Sequence, residues 1–168
     1  SDENIRYQMV TFLAAGHETT SGLLSFALYF LVKHPGVMAR AQAEVDQVLG
    51  MDTTPRFEHL AQLPYLEQVL KETLRMWPPA PSWGRRPFED TVIGGKYFIE
   101  RHQPLAVLTQ MLHRDPKVWG GDAGRFDPDR FAPEAAAKLP ANAWKPFGTG
   151  QRACIGAQFA RTEAHLSL

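Results

Sequence analysis

The chain has 168 residues, the size of one ordinary domain, and 44% of them are hydrophobic, too many for a disordered chain. Lysine plus arginine balance aspartate plus glutamate at 18 each, which argues against a nucleic acid or an anionic membrane surface as the main partner. The single cysteine excludes an internal disulfide and a cysteine-rich metal site. No basic-then-apolar leader opens the sequence, and the uncharged run from Thr19 to Val32 is shorter than the ~20 residues of a membrane span. A cytoplasmic protein without a membrane span is the expectation.

The first helical pattern starts at Ser1 or Asp2, with Asp2 and Glu3 near the positive end of the helix dipole. It runs without proline to about Val32 and stops at Lys33-His34-Pro35-Gly36. Its second half is apolar almost all round, the pattern of a helix buried on every side. A second helix spans 37–49, with Val37, Ala41, Val45, Val48 and Leu49 near one face, Glu44 away from it, and Gly50 beyond its end. Residues 51–56 read as a loop and 58–62 as a short helix.

Pro64 opens a third helix carrying Leu66, Val69, Leu70, Thr73, Leu74 and Trp77, and Pro78-Pro79 end it. A hairpin follows: Thr91 to Ile93, a turn at Gly94-Gly95, then Lys96 to Ile99. Another short strand fits 104–108. From Arg114 to Pro146 the chain is rich in Pro, Gly and Asp and nearly aperiodic, which is unusual inside a compact domain. A glycine-rich loop spans 148–156, and a last helical pattern runs through Ala157, Phe159, Ala160, Ala164 and Leu166. The chain is expected to be truncated after Leu168.

Three groups of residues carry chemistry. In Phe147-Gly148-Thr149-Gly150-Gln151-Arg152-Ala153-Cys154-Ile155-Gly156, a lone cysteine sits before a helix and two residues from an arginine. Both features favour a thiolate, and the glycines permit a tight turn against something flat. A buried, inert cysteine is the alternative for this residue type. Glu72 and Arg75 lie three apart on one helix face, like many surface ion pairs, but among apolar neighbours. Ala15-Gly16-His17-Glu18-Thr19-Thr20 interrupts an apolar helix, where Gly16 costs roughly 1 kcal/mol relative to alanine and the threonines can bond back to the preceding turn.

The pattern F-x-x-G-x-R-x-C-x-G resembles the haem-binding loop of the cytochromes P450. A chance match in a chain of this length is on the order of 10⁻⁵. By that resemblance Cys154 is the axial thiolate ligand of the iron of haem b. Arg152 pairs with a haem propionate, and Phe147 packs beside the sulfur. Gly150 belongs to the loop, and Gly156 lets the last helix lie against the macrocycle. Arg86 falls where many family members place a second propionate partner, with the adjacent Arg85 as a competitor. Glu72, Arg75 and Arg130 form a buried structural triad that pins the irregular segment. The first helix crosses the distal face of the haem: Ala15 and Gly16 line it, Gly16 opens it locally, and Thr19 and Glu18 deliver protons to dioxygen. Ala80 reaches toward substrate. His17 receives no role, and His113-Arg114-Asp115-Pro116 is assigned only loop structure.

The resemblance covers the whole chain and is strongest to bacterial self-sufficient fatty-acid hydroxylases fused to a flavoprotein reductase. It implies a mainly α fold with small β-hairpin elements, with residues 1–168 the C-terminal part of a haem domain. It also implies an unspecific monooxygenase that inserts one oxygen atom of O₂ into an apolar substrate. Subterminal hydroxylation of a fatty acid is the leading expectation. Electrons come from NADPH through FAD and FMN on a reductase outside the chain. A peroxide-using enzyme with the same haem site and a haem-free helical scaffold are the alternatives. The chain alone is expected to expose large apolar faces, to be inactive and not to fold stably by itself.

Overall fold

The computed structural model describes residues 1–51 and 54–168; part of the loop expected at 51–56, Asp52 and Thr53, lies outside the described residues. Helix α1 spans Asp2–Lys33 with Asp2 and Glu3 in its first turn and Lys33 in its last. The chain breaks at His34, and α2 (Pro35–Leu49) leaves at 112° to α1. Pro35 opens α2 two residues earlier than expected, as proline at the first helical position costs no hydrogen bond. Gly50 closes α2 with φ 57°, a value that suits glycine. A 3₁₀ turn (Phe57–Gln62) leads to α3 (Pro64–Met76).

The strands are short. β1 (Ser82–Arg85) pairs antiparallel with β4 (Leu105–Leu108), and β2 (Thr91–Ile93) pairs with β3 (Tyr97–Ile99). Gly94 and Gly95, at φ 61° and 67°, make the turn between β2 and β3. Then come α4 (Thr109–Leu112), α5 (Pro116–Trp119), a 3₁₀ turn (Pro128–Phe131) and α6 (Pro133–Ala136). The final helix α7 (Ala157–Ser167) follows a 3₁₀ turn at Gly150–Arg152. The mainly α architecture with small hairpins is as the sequence predicts.

α3 is the hub, buried on nearly every face, and it packs against α1, α2, α7 and the 128–131 turn. Its N-terminus is capped from α2: Glu44 accepts from the backbone N–H groups of Tyr65 (2.8 Å) and Leu66 (2.9 Å). Glu44 thus faces inward, because a carboxylate satisfies the orphan donors of a helix start. One core cluster joins Phe30, Leu31, Ala41, Tyr65, Val69, Met76 and Phe126, with the Phe30 and Phe126 rings stacked at 4.3 Å. A second joins Leu23, Ala27, Leu70, Leu74 and Ala164, with Trp144 and Phe147 against it. A third gathers Trp119, Ala123, Phe131 and Ala143 under the irregular segment.

Within this chain α1 is covered on one side only. α2, α3 and α7 cover one side of its second half, leaving Val32 71% and Leu28 54% exposed. Ile5, Met9, Phe12 and Leu13 in its first half are exposed as well, so the large apolar face expected of the isolated chain is present.

Candidate functional site

The loop holding Cys154 is built from two left-handed glycines and one closing hydrogen bond. Gly148 (φ 70°) and Gly150 (φ 71°) take values that cost other residues about 1–2 kcal/mol. The N–H of Cys154 donates to the Phe147 carbonyl at 2.9 Å, and that of Ala153 to Gly150 at 3.0 Å. Phe147 itself is held in the core, edge-on to Trp144 at 6.3 Å. The entrance to the loop is therefore rigid, and its outer part faces away from the core.

Cys154 is free and exposed. Two residues away, Arg152 is exposed and makes no hydrogen bond or ion pair among the described residues. Ile155 (87% exposed), next to the cysteine, and Phe159 (72%), in the first turn of α7, add exposed apolar surface to this segment. A Cβ on Gly156 would stand 3.9 Å from the sulfur, and the Cβ positions of Gly148 and Gly150 are clear of other atoms. An accessible sulfur, a cation without a partner, exposed apolar surface and glycines without side chains fit a flat, anionic-edged macrocycle such as haem.

α1 meets this loop through Leu23 and Ala27, which share a core cluster with Phe147. Toward its N-terminus, Ala15, Gly16, Glu18 and Thr19 are exposed. The helix runs unbroken through Gly16, and the Thr19 hydroxyl donates to the Ala15 carbonyl at 2.6 Å. The neighbouring Thr20 is the buried one. Gly22 lies against Pro79, where an added Cβ would come within 3.6 Å of the ring. That contact sets the Pro79-Ala80-Pro81 turn less than one helical turn beyond Thr19, with Ala80 exposed.

Beneath lies the charged centre of the fold. Glu72 and Arg75 are fully buried and joined by two bonds: Nε to Oε2 at 2.6 Å, and a terminal nitrogen to Oε1 at 2.7 Å. Arg130 Nε approaches Oε1 to 3.7 Å, so the three residues paired in sequence analysis do meet. The Asp127 N–H adds a bond to Oε1 at 2.8 Å. Burial pushes the Glu72 carboxyl above the usual carboxylate range, against the opposing pull of Arg75, Asp127 and Arg130. Arg75 spends its remaining donors on the carbonyls of His113 (2.7 Å), Ala123 (2.8 Å) and Arg125 (3.0 Å). Arg130 donates to Trp119 and Asp122 carbonyls and pairs with the Asp122 carboxylate at 2.7 Å. The hydrogen bond from Arg130 holds that carboxyl below its ordinary range.

Arg86 is exposed and, among the described residues, makes no hydrogen bond or ion pair to the cysteine loop. Arg85 is the one that reaches it, donating to the Thr149 carbonyl at 3.3 Å while lying over the Trp83 ring. Trp83 and Arg85 share one face of β1, and Arg86 lies beyond its end. His113, assigned only a loop, has a fully buried ring that accepts from the Lys145 N–H at 2.8 Å. A histidine beside many Pro and Asp residues carries no sequence signal for such a contact. A cleft of about 370 Å³ between the 57–62 turn, α3 and α7 contains none of the residues picked from sequence.

The Cytochrome P450 family profile matches residues 1–168. Bifunctional cytochrome P450/NADPH–P450 reductase 2 of Bacillus subtilis is 55% identical over 167 residues, covering 99% of this chain and 16% of that protein. The bifunctional reductase fusion of Bacillus cereus is 54% identical over 166 residues, covering 98% of this chain and 15% of its own length. A self-sufficient cytochrome P450 monooxygenase of Aspergillus niger is 49% identical, covering 99% of this chain and 16% of its own length. The chain thus spans about one sixth of these relatives, and it belongs to the cytochrome P450 family.

Proposed function

We propose that this chain is the C-terminal part of the haem domain of a cytoplasmic haem-thiolate monooxygenase. The enzyme takes electrons from NADPH through an FAD- and FMN-bearing reductase and hydroxylates an apolar carbon chain, a fatty acid at a subterminal carbon. The observation that supports this best is the exposed Cys154, on a glycine loop whose entrance is fixed to a buried ion-pair centre. The reductase reading rests on the fused relatives.

Cys154, Arg152, Phe147, Gly150 and Gly156 hold the cofactor in this reading, with Arg85 in place of Arg86 as the second cation at the loop. When bound, haem supplies the redox centre at which O₂ is activated, with thiolate ligation pushing electron density onto iron. The protein's part is positional. The loop presents the sulfur, and Arg152 neutralises an acidic edge. Thr19 exchanges its bond to the Ala15 carbonyl for one to a water, and Glu18 supplies the proton that passes along it. Ala80 leaves room for substrate beside this helix.

The test uses the longest native reading frame, expressed with haem supply. A strongly red-shifted ferrous–CO Soret band, lost in Cys154→Ser, is the expected result. A haem protein without that band refutes thiolate ligation by Cys154. NADPH-driven turnover that exceeds peroxide-driven turnover, with hydroxy fatty acid as product, supports the monooxygenase assignment; the reverse ranking favours a peroxide-using enzyme.

A further inference from the structure

Nothing in the function proposed above uses His113, yet its ring is fully buried at a junction. On one side its carbonyl accepts from Arg75 at 2.7 Å, so its backbone is tied to the ion-pair centre. On the other, Nε2 accepts the Lys145 N–H at 2.8 Å. The Lys145 carbonyl in turn accepts from Gly148, at 3.2 Å, and the Phe147 carbonyl accepts from Cys154. An unbroken line of short contacts runs from Glu72 and Arg75 through His113 to the N–H of the cysteine.

We propose that His113 is a positioning residue, a neutral hydrogen-bond acceptor that sets the register of the cysteine loop by gripping the backbone of Lys145. The inference rests on the reading of Cys154 as the iron ligand. Accepting at Nε2 places the ring proton on Nδ1, a tautomer fixed by the direction of the Lys145 N–H bond. Nδ1 makes no well-formed hydrogen bond among the described residues, though the Leu74 and Arg75 backbone lies near the ring, so the one well-formed bond is that to the loop. The charged residues around the ring keep it in acceptor form. Arg75 stands closest, neutralised by Glu72 on the same helix, and Arg114 follows in sequence while Lys145 lies on the loop side. Burial first, and then Arg75, drives the ring's pKa down to about 4, against an opposing contribution from the Leu74 and Arg75 backbone. A protonated ring would turn two donors toward each other at Lys145 and release the loop.

The experiment compares His113→Leu and His113→Gln with wild type in the full reading frame, at matched haem content. Leucine fills the space without an acceptor, and the glutamine carbonyl can accept from Lys145. With His113→Leu, the share of haem showing the red-shifted ferrous–CO band is expected to fall at least about fivefold, the effect of leaving a buried N–H unpaired. His113→Gln is expected to retain most of the band. A leucine variant with the wild-type share overturns the proposal, and so does a glutamine variant that falls as far as leucine.

Should the leucine variant not fold, the acid limb decides. Wild type loses the band as pH falls toward about 4, and glutamine, which takes up no proton, must hold it at least about half a pH unit lower. An unchanged acid limb overturns the proposal. Absence of the band from wild type itself sinks the Cys154 reading instead, and is seen before any variant is compared.

Discussion

Replacing Glu72 by glutamine leaves the shape of the buried centre and removes its negative charge. In the native protein the carboxylate accepts two bonds from Arg75, at 2.6 and 2.7 Å, and one from the Asp127 N–H at 2.8 Å, with Arg130 Nε at 3.7 Å. A glutamine can accept from Asp127 or from Arg75, but its amide N–H₂ then points at other donors. Both ion-pair partners have no exposed side-chain surface, so water cannot compensate. Breaking such a pair costs about 3–5 kcal/mol, a large share of the ~5–15 kcal/mol that a domain typically has. Urea unfolding of the haem-loaded protein, followed by helical circular dichroism, should show the midpoint shifted down by about 2 M. The double variant Glu72→Leu, Arg75→Met sharpens the test. If the two side chains served only each other, removing both would restore stability. Because Arg75 also holds the carbonyls of His113, Ala123 and Arg125, the double variant is expected to stay within about 1 kcal/mol of the worse single variant. A cost below about 1 kcal/mol for Glu72→Gln, or recovery in the double variant, would refute the reasoning.

Three further outcomes are expected. His113 titrates at about 4 in the folded chain and near 6.5 unfolded, so the unfolded state binds the extra proton between these values. Stability is therefore intact above pH 6.5 and falls by about 3 kcal/mol as pH drops to 4, a slope that His113→Gln should flatten in urea titrations at stepped pH. Glu44→Gln weakens the cap on α3 and should cost about 1–2 kcal/mol in the same assay, whereas a cost near zero would mean that the two N–H groups find water. Arg40→Ala should cost about 1 kcal/mol, mostly from its stack over the Tyr65 ring at 3.8 Å, because its pair with Asp129 is more than half exposed on both sides.

What could be read from sequence was short-range. The cysteine loop is a contiguous stretch whose glycines have a backbone reason, and Gly148 and Gly150 do sit at positive φ. The Glu72–Arg75 pair follows from helical spacing alone, and the two-glycine hairpin from turn chemistry. What escaped notice depends on distant backbone. The carbonyls that Arg75 collects lie in segments without periodicity, and a carbonyl has no residue-type signature. β1 has no local sequence signal, because its partner β4 is remote in sequence and Trp83-Gly84-Arg85 has no clear alternation of apolar and polar residues. Glu44 reads as a solvent-facing residue until α3 is placed against it. The apolar run in α1 reads as buried on all sides, but burial depends on what surrounds a helix as well as on its own pattern.

The segment from 114 to 146 raises a physical question: with so little regular hydrogen bonding, something other than ladders must fix its path. Apolar packing supplies part of the answer through Trp119, Ala123, Phe131 and Ala143. Packing alone is forgiving of small shifts, however, and a one-residue slip would carry Lys145 and Phe147 with it. Guanidinium groups are not forgiving in this way, because their donors form a rigid planar fork. Arg75 fixes the carbonyls of 113, 123 and 125, and Arg130 fixes those of 119 and 122. Glu72 binds both arginines and the N–H of Asp127. Five backbone positions within the irregular segment, and His113 at its entrance, are thereby referred to one rigid helix. Buried charge is a weak source of stability but a strong source of registry, and a loop that must hold one sulfur in one place needs registry more.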